Sequence, residues 1–494
     1  MNKPVACTPH NSILPVVIQV KYTVISEDWS TELKNINMGI LSVNPFNGEV
    51  IKEYKEDTVQ EIQAKIAAVH QTWCVYQDTD YKSRAALLLN VAGLLEERKD
   101  QLASLMALEM GKPLRQGAAE VLKCASVCKY YAENAERFLA DQYVETEAAK
   151  SYVSMRPIGV VLAIMPWNFP FWQVFRFLSP ALMAGNCGVL KHSSGVTGCA
   201  LAIEAVIKDA GFEGDVFKVL ICSSNAVAKV IENPLIKAVT ITGSTNAGKK
   251  VAEQAGSLLK KTVLELGGSD PYLVLADADL AEAARICADA RLINNGQSCI
   301  AAKRFIVVKE VEEEFTRLFK YHMEYRITGD PLKEDTDLGP MARADLRDEL
   351  HQQVLKCIKQ GASCILGGEI PFADREHAFY QPTILTNIKK GMLAYDEEIF
   401  GPVAAIISAE DTNDALRIAN DTSFGLGAAV FSRDLELAED IARNKLAAGS
   451  CFVNEGVKSD PALPFGGINQ SGYGRELGMF GIHEFVNIKT VYIK

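Results

Sequence analysis

The hydrophobic and polar residues follow two different periods along the chain. Between Thr58 and Gly111 the apolar residues recur at helical spacing, which predicts two consecutive amphipathic helices, and a third helix is predicted from about Gln116 to Ala140. After about residue 150, short β-rich runs such as VVLAIM, AVTIT and RFIVV alternate with helical stretches. This alternation is typical of parallel sheets, and the runs are too many for one sheet. The pattern therefore predicts an α/β protein with two doubly wound parallel-sheet domains, divided near Gly267-Gly268.

The two ends of the chain show neither pattern. The segment before Met38 lacks clear periodicity, so we expect an N-terminal extension, residues 1–38, that is poorly ordered; whether it belongs to the native protein stays open. The last run, EFVNIKTVYIK, alternates as a half-buried strand does and predicts a sheet edge, including one on a neighbouring subunit. No apolar run approaches the length of a membrane span, and the start is a poor signal peptide.

Composition and charge exclude several classes of protein. The chain has 494 residues, with 51 Lys and Arg against 62 Asp and Glu, for a net charge of −11. This composition excludes disordered and disulfide-rich proteins, and the negative charge argues against nucleic acid or an anionic membrane as a partner. The 12 cysteines show no CxxC pair, which indicates reduced thiols in the cytoplasm. No HExxH or similar ligand motif is present, so we predict no metal site.

A glycine-rich turn follows the predicted strand AVTIT. The segment GSTNAGKK is a strand-to-helix turn of the kind that presents backbone N–H groups to phosphate. Gly243 and Gly248 fit part of a nucleotide-hydrolysing P-loop, but Lys250 stands where a Ser or Thr should hold magnesium. A dinucleotide pyrophosphate site is the functional interpretation, and a purely structural turn stays open.

Cys299 lies in the polar loop NNGQSC, after a predicted helix. Most lone cysteines are buried as small apolar residues, but the polar neighbours indicate an accessible sulfur. A thiol becomes an effective nucleophile only where its surroundings favour the thiolate. Cys299 is therefore a candidate nucleophile.

Two further residues are candidates for acid–base and oxyanion chemistry. Glu265 ends an apolar strand before two glycines, where burial should raise its pKa towards neutrality, as a general base requires; a strand-end carboxylate that reaches solvent is the alternative. Asn168 stands between two prolines in PWNFP, so its amide is held rigidly and is able to donate to a developing oxyanion. Taken alone, PWNFP is simply a turn.

Six motifs taken in order resemble the aldehyde dehydrogenase superfamily over roughly residue 40 to the end: PWNFP, the Gly-Ser-Thr turn, LELGG, GQSC, EEIFGPV and PFGGINQSGYGREL. Within that family, VKSDPALPFGG and KHSS resemble the succinate-semialdehyde dehydrogenase branch most. The resemblance implies a Rossmann-like cofactor domain, a catalytic domain and a small β-arm that builds a homodimer or homotetramer. The implied boundaries are 39–140, 158–266 and 453–483 for the cofactor domain, 267–452 for the catalytic domain, and 141–157 with 484–494 for the arm.

The resemblance also implies the role of each site residue. Cys299 becomes the nucleophile, Glu265 the general base, and Asn168 with the Cys299 backbone N–H the oxyanion hole. The implied cofactor contacts are Trp167, Lys191, Ser194, Gly243, Ser244, Leu266, Gly267, Glu398 and Phe400.

The implied substrate contacts are Arg176, Ser459 and Phe465. The fork-shaped guanidinium of Arg176 suits a carboxylate, although an ordinary ion pair is the alternative. Ile293 stands where some relatives place a polar substrate residue, and its apolar side chain admits a longer or less polar aldehyde. Arg291 stands two positions before Ile293, so we expect it to face elsewhere.

The expected activity is the oxidation of an aldehyde to a carboxylic acid with NAD or NADP. Ser194 stands where strictly NAD-using relatives often carry glutamate, so NADP should be accepted. Glu265 favours hydrolysis of the thioester over its transfer to coenzyme A. Succinate semialdehyde is the favoured substrate. The alternatives are an aldehyde dehydrogenase of broad specificity or for another ω-carboxylated or aliphatic aldehyde, and a dinucleotide-binding scaffold with an inert Cys299.

Overall fold

The computed structural model describes residues 39–371 and 377–494, and Gly39–Lys494 forms one compact unit. The predicted N-terminal extension lies outside the described residues. The helices are α1 (Val59–Tyr76), α2 (Tyr81–Glu97), α3 (Lys99–Met110), α4 (Leu114–Phe138), α5 (Trp172–Met183), α6 (Thr197–Asp209), α7 (Val227–Glu232), α8 (Thr245–Ser257), α9 (Leu280–Leu292), α10 (Glu312–Glu324), α11 (Ala344–Lys359), α12 (Leu393–Asp396), α13 (Thr412–Asn420), α14 (Leu435–Asp440) and α15 (Gly478–His483).

The strands form four sheets among the described residues. They are β1 (Ile40–Val43), β2 (Val50–Tyr54), β3 (Gln142–Tyr143), β4 (Lys150–Pro157), β5 (Val160–Met165), β6 (Cys187–His192), β7 (Phe217–Val219), β8 (Ile236–Thr242), β9 (Lys261–Glu265), β10 (Pro271–Val274), β11 (Arg304–Val308), β12 (Ser363–Leu366), β13 (Thr383–Thr386), β14 (Val403–Ala409), β15 (Gly427–Phe431), β16 (Ser450–Val453), β17 (Gly472–Tyr473) and β18 (Val486–Ile493).

The N-terminal helices begin and end where local chemistry requires. Thr58 and Glu61 form a capping box at the start of α1, each side chain accepting from the backbone N–H of the other residue. Gly111 ends α3 with φ 75°, which favours glycine. The second predicted helix is in fact two helices, α2 and α3, separated at Arg98. The pattern did not reveal this break because the apolar spacing continues on both sides of it.

The six-stranded sheet has the order β17-β9-β8-β5-β6-β7. Strands β5 to β9 are parallel, and β17 pairs with β9 in the opposite direction. The chain runs outward from β5 to β7 and then returns to place β8 on the other side of β5. In such sheets ligands bind beside the carboxyl ends of the strands at this reversal. The ends of β5 and β8 are therefore where a cofactor is expected.

The seven-stranded sheet has the order β12-β13-β14-β11-β10-β15-β16, parallel except for β12. Strands β11 and β15 are buried along their whole length, as expected of a parallel sheet covered on both faces. The Gly267-Gly268 turn lies between the two large sheets, at the place where the sequence predicts the division. The predicted α/β fold with two parallel sheets is confirmed, whereas the finer domain boundaries stay predictions.

A three-stranded sheet has the order β18-β4-β3. Strands β18 and β4 pair from Val486 with Pro157 to Ile493 with Lys150. Apolar side chains on this sheet face solvent, with Ile488 63% and Tyr492 53% exposed. The sheet joins the two segments expected to form the β-arm, and its part in self-association stays a prediction. Among the described helices, none has both the length and the apolar character needed to cross a membrane.

Candidate active site

Two cavities meet at Cys299. The first, the inner cavity, has a volume of about 210 Å³ and lies between α4 and α5. The second, the sheet-edge cleft, has a volume of about 250 Å³ and lies beside the carboxyl ends of β5 and β8. Cys299 and Gln173 line both. A group bound in one cavity therefore meets a group bound in the other at the Cys299 sulfur.

The inner cavity is lined by side chains that recur at helical spacing on α4 and α5. The remaining wall comes from the Cys299 loop and from the segment after β16. Its lining residues are Gln116, Ala119, Glu120, Lys123, Phe169, Trp172, Gln173, Arg176, Ile293, Ser298, Cys299, Ile300, Val457, Lys458, Ser459 and Phe465.

Most residues that line the sheet-edge cleft lie at or just after the ends of β5, β8 and β9, as the sheet topology requires, and the others come from α5, the Cys299 loop and the segment before β14. The lining residues are Pro166, Trp167, Asn168, Gln173, Thr242, Gly243, Ser244, Leu266, Gly267, Cys299, Glu398 and Phe400. Seven of the nine predicted cofactor residues are among them, all but Lys191 and Ser194. The arrangement brings the predicted nucleophile, amide and cofactor residues together.

The loop that carries Cys299 is bent by three consecutive residues in the left-handed region. Asn294, Asn295 and Gly296 have φ values of 52°, 58° and 74°. Asn295 Nδ2 donates to the carbonyls of Gly111 and Pro340, each at 2.9 Å. A Cβ on Gly296 would lie 2.3 Å from Gly401, so only glycine fits there. The loop is thus held against its surroundings in one conformation.

The Asn168 side chain is oriented by its hydrogen bonds. Its Oδ1 accepts from Gln173 Nε2 at 3.1 Å, and its Nδ2 donates to the Gln297 carbonyl at 3.0 Å. An amide nitrogen carries two hydrogens, so one N–H is left to donate into the sheet-edge cleft. This hydrogen is available for the oxyanion role predicted for Asn168.

Cys299 is half-buried, and its surroundings disfavour ionisation of the thiol. Burial raises the pKa of the thiol to about 12, while the positive charges of Lys303 and Arg176 lower it. Although its neighbours in sequence are polar, the loop folds inward and desolvates the sulfur, which disfavours the thiolate. The accessible position is retained, since the sulfur lines both cavities.

Lys303 is a site residue that sequence reasoning missed. Its ammonium group is buried, donates to the carbonyls of Ser298 and Cys299 at 2.8 and 2.6 Å, and lies 3.2 Å from Glu398 Oε1. Glu398 also accepts from the Gly268 backbone N–H at 3.1 Å. Lys303 therefore connects the Cys299 loop to Glu398. The sequence shows only that a lysine stands four residues after the cysteine, and this spacing does not predict its contacts.

Glu265 is buried at the end of β9, and it lines neither cavity in this conformation. Its carboxyl group packs toward Gly466, whose Cβ, if present, would lie 2.7 Å from Oε1. Burial raises the pKa of Glu265 well above its ordinary value, and the negative charge of Glu476 adds to the effect, while Arg176 opposes it. The rise has the direction that we predicted for a general base.

Arg176 reaches the inner cavity already paired. Its Nε forms a buried ion pair with Glu476, and its guanidinium lies 4.6 Å from the centre of the Phe465 ring. Burial also raises the pKa of Glu476. The second predicted substrate residue, Ser459, also lines the cavity, and its hydroxyl oxygen accepts hydrogen bonds from Lys123 and Trp172. Sequence reasoning missed Lys123, although a helical stripe on α4 carries it.

Two expectations about the loop before Cys299 concern Ile293 and Arg291. Ile293 lines the inner cavity and is 42% exposed. Arg291 is buried and donates to the Gly296 carbonyl at 2.5 Å, so it faces the interior and not the cavity. The wall beside the cysteine is therefore apolar here.

Two predicted cofactor residues, Lys191 and Ser194, do not line the sheet-edge cleft. Lys191 is the last residue but one of β6, and burial lowers its pKa, while Ser194 is exposed in the turn before α6. Ser244 caps the N-terminus of α8 and accepts from the Ala247 N–H at 3.3 Å. The rings of Trp167 and Phe400 lie 5.9 Å apart, edge to face.

The cleft fits a dinucleotide. A Cβ on Gly267 would lie 2.5 Å from Glu398 Oε2, so this glycine leaves space for the glutamate at the wall. The helix N-terminus at Ser244 presents backbone N–H groups suited to a pyrophosphate. Within the described ranges, no three His, Cys, Asp or Glu side chains are grouped so as to hold a metal ion.

Comparison with known proteins decides the family, because residues 32–491 match the aldehyde dehydrogenase family. This chain belongs to the aldehyde dehydrogenase family. As an aldehyde dehydrogenase it is an oxidoreductase that uses NAD or NADP, as expected from the resemblance.

The similar proteins extend over almost the whole chain. A probable succinate-semialdehyde dehydrogenase (NADP+) of Synechocystis sp. is 46% identical over 457 residues, covering 92% of this chain and 100% of that protein. A succinate-semialdehyde dehydrogenase (NADP+) of Mycobacterium leprae is 46% identical over 459 residues, with the same coverage of 92% and 100%. The crystal structure of succinic semialdehyde dehydrogenase from Streptococcus pyogenes with NADP+ has a TM-score of 0.89 and 36% identity, covering 92% of this chain and 99% of that chain.

Proposed function

We propose that this aldehyde dehydrogenase oxidises succinate semialdehyde to succinate, with NADP+ as the preferred cofactor and Cys299 as the nucleophile. The observation that carries the proposal is the position of Cys299 at the meeting point of a cofactor-type cleft and a second cavity bordered by cations. A protein that only binds dinucleotides has no need of such a junction.

The residues of the sheet-edge cleft would hold the cofactor between Ser244, Glu398 and Phe400. A nicotinamide held there would supply the acceptor for the hydride that leaves the substrate carbon. The inner cavity holds the aldehyde, so the substrate approaches the sulfur from the side opposite to the cofactor.

The chemistry of the chain's own residues follows. The Cys299 thiol gives up its proton to solvent water, its sulfur bonds to the aldehyde carbon, and the free N–H of Asn168 donates to the oxygen that becomes negative. Departure of hydride leaves a thioester on Cys299. Glu265, once its side chain turns toward the sulfur, takes a proton from a water molecule that attacks this thioester. The carbon–sulfur bond then breaks, the acid leaves, and the proton held by Glu265 returns to the sulfur, which regenerates the thiol.

The cofactor preference rests on Ser194. Because the exposed residue in the turn after Lys191 is a serine and not a glutamate, it has no carboxylate that would repel the 2′-phosphate of NADP+. The relatives named above as NADP-dependent support the same choice. We expect Ser194→Glu to lower kcat/KM for NADP+ while leaving that for NAD+ little changed. Wild-type enzyme that refuses NADP+ would overturn this choice.

The substrate is tested by comparing succinate semialdehyde with butanal, an uncharged aldehyde of the same carbon number. We expect a higher kcat/KM for the carboxylated aldehyde, because the inner cavity offers positive charge. Equal values would favour a broad-specificity aldehyde dehydrogenase instead.

The exposed apolar residues of the β18-β4-β3 sheet support self-association into a homodimer or homotetramer, which sedimentation of the full chain tests.

A further inference from the structure

The ammonium group of Lys303 connects the two sides of the active site. Lys303 directly precedes β11, and its side chain is 2% exposed. It donates to the backbone carbonyls of Ser298 and Cys299 and forms an ion pair with Glu398 Oε1, 3.2 Å away. A single buried cation therefore joins the backbone of the nucleophile to the carboxylate at the wall of the sheet-edge cleft.

Glu398 is anchored through one of its two carboxylate oxygens. Its Oε1 lies next to Lys303 Nζ and accepts from the Gly268 backbone N–H at 3.1 Å. Its Oε2 forms no hydrogen bond with any of the described residues, and the side chain lines the sheet-edge cleft. A carboxylate bonded to a cation makes a shorter and stronger contact than one bonded to neutral donors alone. Lys303 thus contributes most to the orientation of Glu398.

A second buried carboxyl group, that of Asp270, also interacts with the charge of Lys303. Its Oδ1 accepts from the Gly427 backbone N–H at 3.0 Å, and within the described ranges no ion pair joins it to Lys303. Burial raises the pKa of Asp270 to about 6, while Lys303 lowers it. Above pH 8 the charge of Asp270 is therefore constant, and Glu398 is the carboxylate with which Lys303 is paired.

We propose that Lys303 is a positioning residue that holds Glu398 and the Cys299 backbone together and stabilises the Cys299 thiolate with its positive charge. This inference rests on the proposed function, since it takes Cys299 as the nucleophile and the sheet-edge cleft as the cofactor site. It deepens that function by assigning the connection between the two to one lysine. Lys303 acts through Glu398 and Cys299, and not by contact with the reacting atoms.

The two partners of this ion pair act on the Cys299 sulfur with opposite sign. Burial raises the pKa of the thiol most; Lys303 and, more weakly, Arg176 lower it, while Glu398 and Glu265 raise it. Loss of the Lys303 charge should therefore reduce the fraction of thiolate, and loss of the Glu398 charge should increase it. Because the thiolate is the species that reacts, the rate of alkylation of Cys299 reports both changes.

The test measures alkylation of Cys299 by iodoacetamide, a neutral reagent, in the full-length enzyme without cofactor at pH 8.5. In Lys303→Met the rate should fall about tenfold or more, since a nearby opposite charge shifts a pKa by about 1–3 units. In Glu398→Gln the rate should rise about threefold, the effect of about half a pKa unit. Mass spectrometry of the peptide that contains Cys299 gives each rate.

A merely structural role for Lys303 predicts the opposite sign. If the lysine only kept the loop in place, its loss would expose the sulfur to solvent. The pKa of the thiol would then fall towards the ordinary value of ~8.5, and alkylation would accelerate. The direction of the change in Lys303→Met therefore separates the two roles.

Lys309→Met is the matched control. Lys309 directly follows β11 and is paired with Glu410 at the same distance of 3.2 Å, but both side chains are exposed. The control should leave the alkylation of Cys299 unchanged, and also the Kd for NADP+ measured by calorimetry. In Lys303→Met this Kd should rise about fivefold, because Glu398 loses the cation that orients it.

Each outcome decides for or against the inference. A folded Lys303→Met enzyme in which Cys299 is alkylated as fast as in wild type, or faster, overturns it. If thermal unfolding shows that this variant does not fold, Glu398→Gln decides, since unchanged or slower alkylation there also overturns the inference. Both measurements are made without aldehyde, so they hold whichever aldehyde is the substrate. Failure of the wild-type enzyme to oxidise succinate semialdehyde would instead refute the proposed function.

Discussion

Replacing Asn168 by alanine removes one oxyanion donor and changes little else in the site. The amide now accepts from Gln173 and donates to the Gln297 carbonyl. That carbonyl also accepts from Asn294 Nδ2 at 3.0 Å, so it keeps a partner in the variant. Gln173 lines both cavities, so we expect solvent in them to replace Asn168 as the acceptor for its amide N–H. The loop before Cys299 should therefore retain its conformation.

The magnitude follows from these contacts. Loss of one donor to a developing oxyanion lowers kcat by about 10²–10³, or roughly 2.7–4 kcal/mol of transition-state stabilisation. The two hydrogen bonds lost from the folded state contribute about 0.5–1.5 kcal/mol each, so the free energy of unfolding falls by about 1–3 kcal/mol. The variant should therefore stay folded while losing most of its activity.

Steady-state kinetics with succinate semialdehyde and NADP+ measure kcat and KM, and thermal unfolding checks the fold. Gln173→Ala is the matched variant, because it removes the bond that orients Asn168 but keeps the donor. Its kcat should fall about fivefold, because losing the orienting hydrogen bond costs roughly 1 kcal/mol of transition-state stabilisation. An Asn168→Ala enzyme that is folded and whose kcat stays within tenfold of wild type would refute the oxyanion role, as would a loss confined to KM.

Two other predictions concern the cofactor wall and the thiol. In Gly267→Ala the new Cβ would meet Glu398 Oε2 at 2.5 Å, so the KM for NADP+ should rise about fivefold or more, the equivalent of roughly 1 kcal/mol. Gly256→Ala, with no atom within 4 Å of its Cβ, should leave this KM unchanged, and equal effects would count against a role for Glu398. Because burial raises the pKa of Cys299 to about 12, its alkylation by iodoacetamide without cofactor should still accelerate between pH 9 and 10, where a free thiol of pKa ~8.5 levels off. A plateau by pH 9, measured on the Cys299 peptide against that of exposed Cys74, would show that the thiol is ionised at rest.

The parts of the fold and site that the sequence predicts are those encoded locally. The alternation of strands and helices predicts parallel sheets, and in such sheets strand ends meet at one edge. Asn168, Gly243 and Gly267 each follow a strand closely, so their meeting in one cleft follows from the topology. The six motifs, taken in order, then indicate membership of the aldehyde dehydrogenase family.

The parts that could not be predicted depend on contacts between distant segments. Arg176 and Glu476 are 300 positions apart, and no local pattern shows that the guanidinium is already paired. For the same reason Lys303 and Lys123 were missed, since a lysine shows its function only when its partners are known. The pKa of Cys299 was also out of reach, because it depends on how deeply the folded loop buries the sulfur.

Mass spectrometry of Glu265→Gln tests most directly whether aldehyde oxidation passes through a thioester on Cys299. The variant is mixed with succinate semialdehyde and NADP+, quenched in acid and digested. We predict one equivalent of NADPH formed in a burst, slow turnover afterwards, and a succinyl group on the peptide that contains Cys299, absent when Cys299 is also replaced by alanine. Normal steady-state turnover with no adduct, or an adduct on a different residue, would contradict the account.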